Sequence, residues 1–247
     1  MTGGGGGLGL ASATALADAG YRVCLADVDE RALTAAAAEL TRRHGAHRIQ
    51  AAAVDVVDDA SVNRLLGTVA QWSGSLDALV TAAGVINRAE SAGLASDAWH
   101  WVLDVNVAGA FRCCRAAYPL LVRSPRAAIV TFGSLGSSLG MPKRLAYNVS
   151  KSGVVGLTRT LASEWGPAGI RVNAVAPGFI ETPMMRSGIE SGALDEQLML
   201  GRIPLRRLGT PGEVADVVKF LASPAARYIT GSVIPIDGGT VTDGTFF

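Results

Sequence analysis

The sequence predicts a single α/β domain in which a doubly wound parallel β-sheet carries helices on both faces. The chain has 247 residues, and α/β folds of about 250 residues commonly form one domain. Hydrophobic residues make up 49% of the chain and charged residues 17%, which is enough apolar surface for a large core and argues against disorder. Short segments rich in β-branched residues alternate with longer segments of helical periodicity. This alternation is typical of parallel strands joined by right-handed crossovers.

Strands are predicted at six places along the chain. Ala127–Phe132 is apolar almost throughout, as expected when both faces of a parallel sheet are covered. The six segments are Tyr21–Ala26, Arg48–Val54, Leu76–Thr81, Ala127–Phe132, Ile170–Val175 and Ser232–Ile236.

Segments with helical periodicity separate most of these strands. The periodic segments are Leu10–Ala19, Glu30–Arg43, Ala60–Trp72, Asp104–Val122, Ser150–Trp165 and Pro211–Ala222. The least regular stretch, residues 179–208, carries three glycines between two prolines and is interpreted as a substrate lid. The lid is expected to lie within one dinucleotide-binding and catalytic domain that covers residues 1–247.

Charge and hydropathy exclude several kinds of partner. The 22 basic and 21 acidic residues leave a net charge of +1, which gives no electrostatic reason to expect nucleic acid or anionic lipid as a partner. No apolar run reaches the roughly 18 residues that a membrane-spanning helix needs. A small-molecule substrate is therefore the expected partner, and no membrane or nucleic acid is.

Cysteine and histidine give no sign of a disulfide framework or a metal site. Cys24 falls in a predicted strand, whereas Cys113 and Cys114 are adjacent in a predicted helix, so all three are interpreted as core residues. The three histidines have no partners at metal-ligand spacing. No basic-then-apolar leader precedes the glycine-rich start, which favours a cytoplasmic, reduced protein.

A glycine-rich run from Thr2 to Gly9 leads directly into an alanine-rich predicted helix. Glycine lets a backbone approach a pyrophosphate closely, and a helix N-terminus favours its negative charge. Gly3 would make the turn, Gly7 would allow close approach, and Gly9 would let the helix pack on the sheet, with Leu8 between the last two. Five consecutive glycines also suit a flexible tail, so this run alone is a weak signal.

Acidic residues follow the next two predicted strands. Asp27 comes eighteen residues after Gly9, where a carboxylate can accept hydrogen bonds from both adenosine ribose hydroxyls and repel a 2′-phosphate. No basic residue occurs in the glycine run or at positions 28 and 29, so NAD is favoured over NADP. Asp55 could bind the adenine amino group while Val56 packs against the ring. The alternatives are that Asp27 caps a loop and that Asp55 is an ordinary turn residue.

A possible proton-transfer site involves three residues in the second half of the chain. Tyr147 and Lys151 are four positions apart, which places them on one face of a helix, and a nearby ammonium stabilises a phenolate. Ser134 follows the apolar strand Ala127–Phe132, and strand ends of this kind face the binding crevice. Its hydroxyl could bind a substrate oxygen while Tyr147 exchanges the proton. An ordinary exposed Tyr–Lys pair is the alternative.

These motifs together resemble the short-chain dehydrogenase/reductase family over nearly the whole chain. Each motif is weak alone, but their order and spacing match the family. The resemblance implies a Rossmann-like sheet and hydride transfer between a nicotinamide and a secondary alcohol or ketone. The matching pieces are Thr2-Gly3-X3-Gly7-X-Gly9, Asp27, Asp55, Ala83-Gly84, Asn106, Ser134, Tyr147-X3-Lys151, Pro177-Gly178, Ile229-Thr230-Gly231 and Asp237-Gly238-Gly239.

The resemblance also implies individual roles. Tyr147 would be the acid/base, and Ser134 would orient the substrate oxygen. Lys151 would bind the nicotinamide ribose and lower the pKa of Tyr147, and Asn106 would hold a water in the proton relay, unless it is a helix cap. Among the cofactor-binding positions, the Thr182 side chain and the Ile180 backbone would bind the carboxamide, and Ala83, Gly84, Pro177 and Gly178 would complete the set.

Two departures from the family pattern stand out. The usual Asn-Asn-Ala-Gly reads Thr81-Ala82-Ala83-Gly84, which removes amides that tie neighbouring strands together. Family members also carry an apolar strand before the glycine run, whereas only Met1 precedes it in this sequence. The first strand is therefore expected to be missing from the middle of the sheet, and the sequence is expected to start several residues late, at an internal Met.

Substrate identity is only weakly indicated. Arg88, Lys143 and Arg144 are expected near the crevice mouth, where they are interpreted as solvated charges rather than as a site for an anionic substrate group. Six apolar lid residues are expected to pack mainly onto the fold, and some to close over the nicotinamide. They are Met184, Met185, Ile189, Leu194, Leu198 and Leu200.

The favoured function is an NAD-dependent dehydrogenase of a secondary alcohol, with a sugar acid or polyol ahead of other substrates. A 3-oxoacyl thioester reductase is the alternative within the family, and a non-catalytic nucleotide-binding protein is the alternative from another class. A homo-tetramer is expected from the resemblance, with contacts through the helices Asp104–Val122 and Ser150–Trp165.

Overall fold

The computed structural model describes residues 1–192 and 194–243, apart from the side chain of Met184. Its strands are all parallel and follow the order β2-β1 in one part of the sheet and β3-β4-β5-β6 in the other. Backbone bridges from Thr2 to Ala26 and to Thr81 join the two parts. The strands are β1 (Val23–Asp27), β2 (Ile49–Ala53), β3 (Ala78–Thr81), β4 (Ala128–Phe132), β5 (Arg171–Pro177) and β6 (Val233–Ile236).

Helices cover both faces of the sheet, as the doubly wound prediction requires. A π-helical turn, Asp104–Ala108, leads directly into α5. The helices of the described residues are α1 (Gly7–Asp18), α2 (Glu30–His44), α3 (Asp59–Ser73), α4 (Ser96–Leu103), α5 (Gly109–Leu121), α6 (Leu145–Trp165), α7 (Pro183–Glu190), α8 (Glu196–Gly201) and α9 (Pro211–Ala222).

Local sequence explains where several helices start. The Asp29 side chain accepts a hydrogen bond from the backbone N–H of Ala32 and caps α2. At α9, Thr210 and Glu213 form a reciprocal capping box. Two apolar clusters, one on each face of the sheet, then hold these helices in place. The α/β class and the parallel, doubly wound sheet predicted from the sequence are confirmed.

Several boundaries differ from the predicted ones. Helix α6 begins at Leu145 rather than Ser150, so Tyr147 lies within its first turn. Helix α1 begins at Gly7, inside the glycine run, rather than at Leu10. The sequence prediction omitted α4 altogether. Residues 179–208 form two short helices, α7 and α8, where little regular structure was expected.

A cleft lies between β1 and β3, where the sequence predicted that a strand is missing. Only Met1 and Thr2 enter it, and the α-ammonium of Met1 donates to the backbone oxygen of Cys24 at 3.0 Å. Burial of that ammonium lowers its pKa. The rest of the cleft has a volume of about 310 Å³ and is lined by side chains that include Leu16, Val69 and Leu79. The sheet is therefore continuous only at the carboxyl end of these two strands.

Lid side chains divide between buried and exposed positions. Met199 and Ile203 are buried, whereas Leu198 is 66% exposed. Met185, Ile189, Leu194 and Leu200 are half-buried, and the Met184 side chain lies outside the described part of the chain. The half-buried members of the predicted set of apolar lid residues therefore pack partly onto the fold, whereas Leu198 does not. Among the described residues, no helix combines the length and hydropathy that a membrane crossing needs.

Candidate functional site

The candidate site lies at one edge of the sheet, where the carboxyl ends of β1, β3, β4 and β5 meet. The parallel topology brings Asp27, Gly84, Ser134 and Gly178 to this edge because each follows the end of a different strand. Crevices of this kind are the usual ligand sites of open α/β sheets. Residues far apart in the sequence thus converge where the motifs predicted.

Glycine is required at two positions of the first loop. Gly3 has a φ of +67°, and a Cβ there would lie 2.7 Å from the backbone of Ala82 and Ala83. A Cβ on Gly9 would lie 1.9 Å from the backbone oxygen of Gly3. The turn and the first turn of α1 therefore pack backbone against backbone, so that the close contact of Gly9 is with Gly3.

The N-terminus of α1 is open toward the crevice. Its N-cap, Gly6, supplies no side-chain acceptor, and no acidic residue occupies the first turn. Gly7 has a φ of +53°, and a Cβ built on it would meet no atom within 4 Å. Leu8 is half-buried and packs against the core cluster beneath. The free N–H groups and the space around Gly7 fit a pyrophosphate, because helix N-termini attract anions.

Asp27 ends β1 directly beside the glycine loop. Its Oδ2 accepts a hydrogen bond from the N–H of Gly5 at 2.9 Å, and its Oδ1 accepts one from Asp29 at 3.1 Å. The carboxylate therefore caps the local backbone, as the alternative interpretation held. Two carboxylate oxygens offer about four acceptor sites, so capacity remains for ribose hydroxyls.

Asp55 and Val56 differ in how accessible their side chains are to an adenine. Asp55 is exposed after β2, and its Oδ1 accepts a hydrogen bond from Val57 at 3.0 Å. Val56 is only 7% exposed, and a Cβ added to Gly109 would lie 2.7 Å from its Cγ2. The Val56 side chain, expected to pack against the ring, is thus turned into the core and leaves little surface for a ligand.

Ser134 is anchored to α6 through Ser137. The Ser137 hydroxyl accepts a hydrogen bond from the Ser134 N–H at 3.1 Å and donates to the backbone oxygen of Lys151 at 2.9 Å. The Ser134 hydroxyl itself accepts from Gly136 at 3.2 Å. A Cβ on Gly136 would lie 2.6 Å from Oδ1 of Asn148, so this loop packs closely on α6. These contacts fix the distance between Ser134 and α6.

Tyr147 lies in the first turn of α6, close to Ser134. Burial raises its pKa, while a side-chain hydrogen bond with Ser134 and the positive charges of Arg144 and Arg88 act in the opposite direction. The net direction is upward, whereas the resemblance implied a pKa lowered by Lys151. The charges that favour the phenolate in this structure are those of the two arginines.

Lys151 is buried one turn further along α6. Its Nζ donates a hydrogen bond to the backbone oxygen of Phe132 at 2.8 Å and lies 5.6 Å from the centroid of the Tyr147 ring. Burial lowers its pKa to about 8. A Cβ on Gly84 would come within 3.5 Å of the same Nζ, so Lys151 also faces the end of β3.

Asn106 lies in the π-helical turn and is 2% exposed. Its Oδ1 accepts a hydrogen bond from the N–H of Val85 at 2.8 Å. Its Nδ2 donates to the Val85 oxygen and to the Ser150 hydroxyl, both at 2.9 Å. The side chain is therefore neither a helix cap nor free, and it joins the loop after β3 to α6. Its role here is to position that loop.

The loop after β5 presents the remaining predicted residues. Gly178 follows Pro177, and a Cβ on it would lie 2.7 Å from Cα of Asp237. The backbone bridge between Ile180 and Gly209 uses the oxygen of residue 179 and the N–H of residue 181, so the polar groups of Ile180 point elsewhere. Thr182 caps α7 by accepting from the Met185 N–H at 3.2 Å. Its hydroxyl proton remains available to a ligand.

Some contributors to the site had no signal in the sequence. Ser137 and Ser150 act through contacts with residues that are remote in the chain, and the Phe132 oxygen is a backbone atom. The sequence pattern does not distinguish the π-helical turn from an ordinary α-helix, although such turns occur often at functional sites. No group of three or more potential metal ligands occurs among residues 1–192 and 194–243.

Comparison with known proteins agrees with this geometry. Residues 4–241 match the profile of a family described as enoyl-(acyl carrier protein) reductase. Galactitol 2-dehydrogenase of Rhizobium johnstonii is 40% identical, covering 97% of this chain and 93% of the relative. A 3-oxoacyl-(acyl-carrier-protein) reductase of Thermotoga maritima is 36% identical, covering 98% and 96%. The crystal structure of a gluconate 5-dehydrogenase from Burkholderia cenocepacia, in complex with NADP and tartrate, has a TM-score of 0.91 at 29% identity, covering 98% and 94%.

These matches define the class of protein as an oxidoreductase that acts on secondary alcohols or ketones with a nicotinamide cofactor. The chain belongs to the short-chain dehydrogenase/reductase family, as its motifs indicated. The open N-terminus of α1 and the free space at Gly7 are consistent with a dinucleotide at this edge of the sheet.

Proposed function

We propose that this protein is an NAD-dependent dehydrogenase that oxidises a secondary alcohol, with Tyr147 as the acid/base. The observation that carries the proposal is the convergence of Ser134, Tyr147 and Lys151. The Ser134 hydroxyl is close enough to the Tyr147 phenol to favour its phenolate, and Nζ of Lys151 lies 5.6 Å from the centroid of the ring. A non-catalytic nucleotide-binding protein would have no need of a half-buried phenol close to a hydroxyl and an ammonium.

In the proposed mechanism the Ser134 hydroxyl donates to the substrate oxygen and orients it toward Tyr147. Tyr147 accepts the hydroxyl proton as the C=O bond forms, and the nearby positive charges stabilise its phenolate. A bound nicotinamide supplies the acceptor for the hydride that leaves the carbinol carbon. Lys151, held by the Phe132 oxygen, binds the adjacent ribose, and Asn106 keeps the loop after β3 against α6.

NAD rather than NADP is proposed because of the charges around Asp27. Its carboxylate lies at the end of β1, and Val28, which follows it, is uncharged and 71% exposed. A 2′-phosphate would meet the carboxylate and would find no basic partner in residues 28 and 29. The gluconate 5-dehydrogenase was crystallised with NADP, so the proposal is tested by comparing kcat/KM for NAD with that for NADP.

A sugar acid or polyol is the proposed substrate class. Support comes from the relatives named galactitol 2-dehydrogenase and gluconate 5-dehydrogenase. The 3-oxoacyl thioester reductase is retained as a second candidate because the Thermotoga relative covers as much of this chain. That activity would run in the reducing direction with the same three residues.

The test is NADH formation with a panel of polyols, sugar acids, steroids and hydroxyacyl thioesters. Tyr147→Phe should retain NAD binding, measured by fluorescence titration, and should lower turnover by a factor of about 100 to 10,000, the range for loss of a general acid/base. Lys143→Gln removes a charge from an exposed ion pair and serves as the matched control. Near-normal turnover by Tyr147→Phe would overturn the acid/base assignment.

A homo-tetramer is also proposed. Large apolar side chains are exposed on the helices expected to form the interfaces, including Phe111 on α5 and Val149 on α6. Trp101 on α4 is 49% exposed close by in the sequence. Burial of such side chains between subunits would stabilise an assembly. Light scattering coupled to gel filtration gives the oligomeric mass, and a monomer would contradict the proposal.

A reducing compartment, the cytoplasm, is the proposed location. All three cysteines are free, and Cys113 and Cys114 are buried. Burial raises the pKa of Cys113 to about 11, so its thiol is protonated and unreactive near neutral pH. Nothing in this arrangement uses an oxidising environment.

A further inference from the structure

Arg88 and Arg144 lie in two chain segments that are joined to each other close to Tyr147. The backbone N–H of Ala89 donates to the oxygen of Lys143 at 3.0 Å, which joins the loop after β3 to the residues before α6. This bond brings Arg88 next to Arg144. Arg144 immediately precedes α6, three positions before Tyr147. The positive charges of both arginines oppose the burial that raises the pKa of Tyr147, as expected for guanidinium groups in the neighbourhood of the phenol.

Neither arginine has an acidic partner within the described residues. Glu90 follows Arg88 closely in sequence but pairs with Nζ of Lys143 at 3.0 Å. The backbone of Lys143 has a φ of +61°, an uncommon conformation for a residue other than glycine. The loop therefore pairs Lys143 with Glu90 and leaves the exposed Arg88 and the half-buried Arg144 without an acidic partner among the described residues.

An unpaired arrangement of this kind is unfavourable in the isolated protein. Arg144 is half-buried, and its pKa is lowered first by burial and then by the charge of Arg88. Other half-buried arginines have partners: Arg112 is paired with Asp104 at 2.7 Å, and Arg48 and Arg171 donate to backbone oxygens. Two adjacent guanidinium groups at the mouth of a crevice create a positive potential that attracts anions.

We propose that Arg88 and Arg144 together bind a carboxylate of the substrate. This inference rests on the proposed function, because Tyr147 fixes where the carbinol oxygen lies. An anion held by both arginines lies beside that oxygen, so the substrate is a hydroxy acid whose carboxylate is a few bonds from the reacting carbon. Guanidinium groups bind carboxylates in planar, two-point geometry, which favours a carboxylate over a neutral hydroxyl at this position.

The first experiment compares a sugar acid with its neutral counterpart, gluconate with glucitol, and includes glucitol 6-phosphate. Wild-type protein should have a kcat/KM for gluconate that exceeds that for glucitol by about tenfold or more. Arg88→Gln and Arg144→Gln should each reduce this ratio by about tenfold, whereas Lys219→Gln, a change in a remote ion pair on α9, should leave it unchanged. Using the ratio cancels effects of either arginine on Tyr147. An equal loss for both substrates, or the same loss in Lys219→Gln, would overturn the inference, as would preference for the phosphate ester.

A second readout does not require turnover. Binding of hexanoate, which has a carboxylate but no secondary hydroxyl, is measured by ligand-observed NMR and compared with binding of hexanamide. Hexanoate should bind the wild type and Lys219→Gln and should not bind Arg144→Gln, while hexanamide should bind none of them. If no alcohol is oxidised but this pattern holds, the proposed function fails and the anion site stands. Equal binding of hexanoate to Arg144→Gln and wild type overturns the anion site alone.

Discussion

The backbone oxygen of Phe132 accepts a hydrogen bond from Nζ of Lys151 at 2.8 Å, which fastens α6 to the carboxyl end of β4. Both ends of the contact are buried, and Lys151 is 6% exposed. A lysine in this position is held where a ribose would reach it, but removal of its ammonium from water disfavours the charged form. The same burial that positions the side chain therefore makes the stability of the protein depend on pH.

Burial lowers the pKa of Lys151 to about 8, below the value of about 10.4 expected in the unfolded chain. Between these two values the unfolded state binds a proton that the folded state does not, so the free energy of unfolding should rise with pH. Relative to Lys151→Met, the wild type should gain about 1–2 kcal/mol between pH 7.5 and 9.5 in urea unfolding. The titration of Cys113 contributes equally to the unfolding free energies of both proteins, so it cancels in their difference.

Lys219→Met supplies the control for this measurement, because Lys219 is an exposed lysine of α9 paired with Asp216. Its unfolding free energy should follow the wild type across the same pH range. Parallel curves for wild type and Lys151→Met would show that Lys151 keeps its ordinary pKa in the folded protein.

Asp27 should set the preference for NAD over NADP. Asp27→Asn removes the charge but can still accept the hydrogen bond from Gly5 through its amide oxygen. The ratio of kcat/KM for NAD to that for NADP should fall by about tenfold, because the 2′-phosphate is no longer repelled. Asp29→Asn, two positions further on, is the matched control, since asparagine caps a helix as well as aspartate does. An unchanged ratio in Asp27→Asn would rule out the charge argument.

Gly9 should be intolerant of any side chain. A Cβ at this position would lie 1.9 Å from the oxygen of Gly3, so Gly9→Ala must push α1 away from the turn. A lower melting temperature and at least tenfold weaker NAD binding are expected in calorimetry and fluorescence titration. Gly156, in α6, would meet no atom within 4 Å, and Gly156→Ala should stabilise the protein by about 0.5–1 kcal/mol. If both alanine variants behave alike, close packing at Gly9 is not the reason for glycine.

Sequence patterns predicted the order of strands and helices because alternating periodicities report which elements are buried on one face or both. They also indicated which residues lie near one another, since Asp27 ends one parallel strand and Ser134 and Gly178 follow closely after the ends of two others. Sequence patterns did not predict the helix boundaries that tertiary contacts determine. Helix α6 begins after Arg144, which supplies no side-chain cap, so nothing local marks its start.

Sequence patterns also failed to predict contacts between side chains that are far apart in the sequence. Asn106 bonds Val85 and Ser150, which lie 21 and 44 residues away, and this pairing follows only from the way the π-helical turn packs between α6 and the loop after β3. The two arginines beside Tyr147 looked like separate solvated charges in the sequence. Only the folded loop shows that Glu90 is used by Lys143 and not by either of them.

The cleft between β1 and β3 leads to a prediction about stability. Thr2 pairs in parallel with both neighbouring strands, so a segment joined ahead of Met1 would continue between them. Along a strand in a parallel sheet, successive residues direct their backbone hydrogen-bonding groups alternately to one neighbouring strand and to the other. Val23 bonds toward β2 and Leu79 pairs with β4. The backbone groups of the next residues, Cys24 and Val80, therefore point into this cleft. Five β-branched apolar residues added before Met1 should therefore pair with both strands and fill the cleft of about 310 Å³.

The measurement compares melting temperatures of this chain, the chain extended by the β-branched segment, and the chain extended by five Gly and Ser residues. Both extensions replace the buried α-ammonium of Met1 with an amide, so the Gly-Ser form controls for loss of that charge. The β-branched form should melt at least about 4 °C above the Gly-Ser form, a difference that corresponds to roughly 1–2 kcal/mol for a chain of this size. A proline in the middle of the added segment should abolish the gain, because it removes a ladder donor. Equal melting temperatures for the β-branched and Gly-Ser forms would mean that the cleft does not accept a strand.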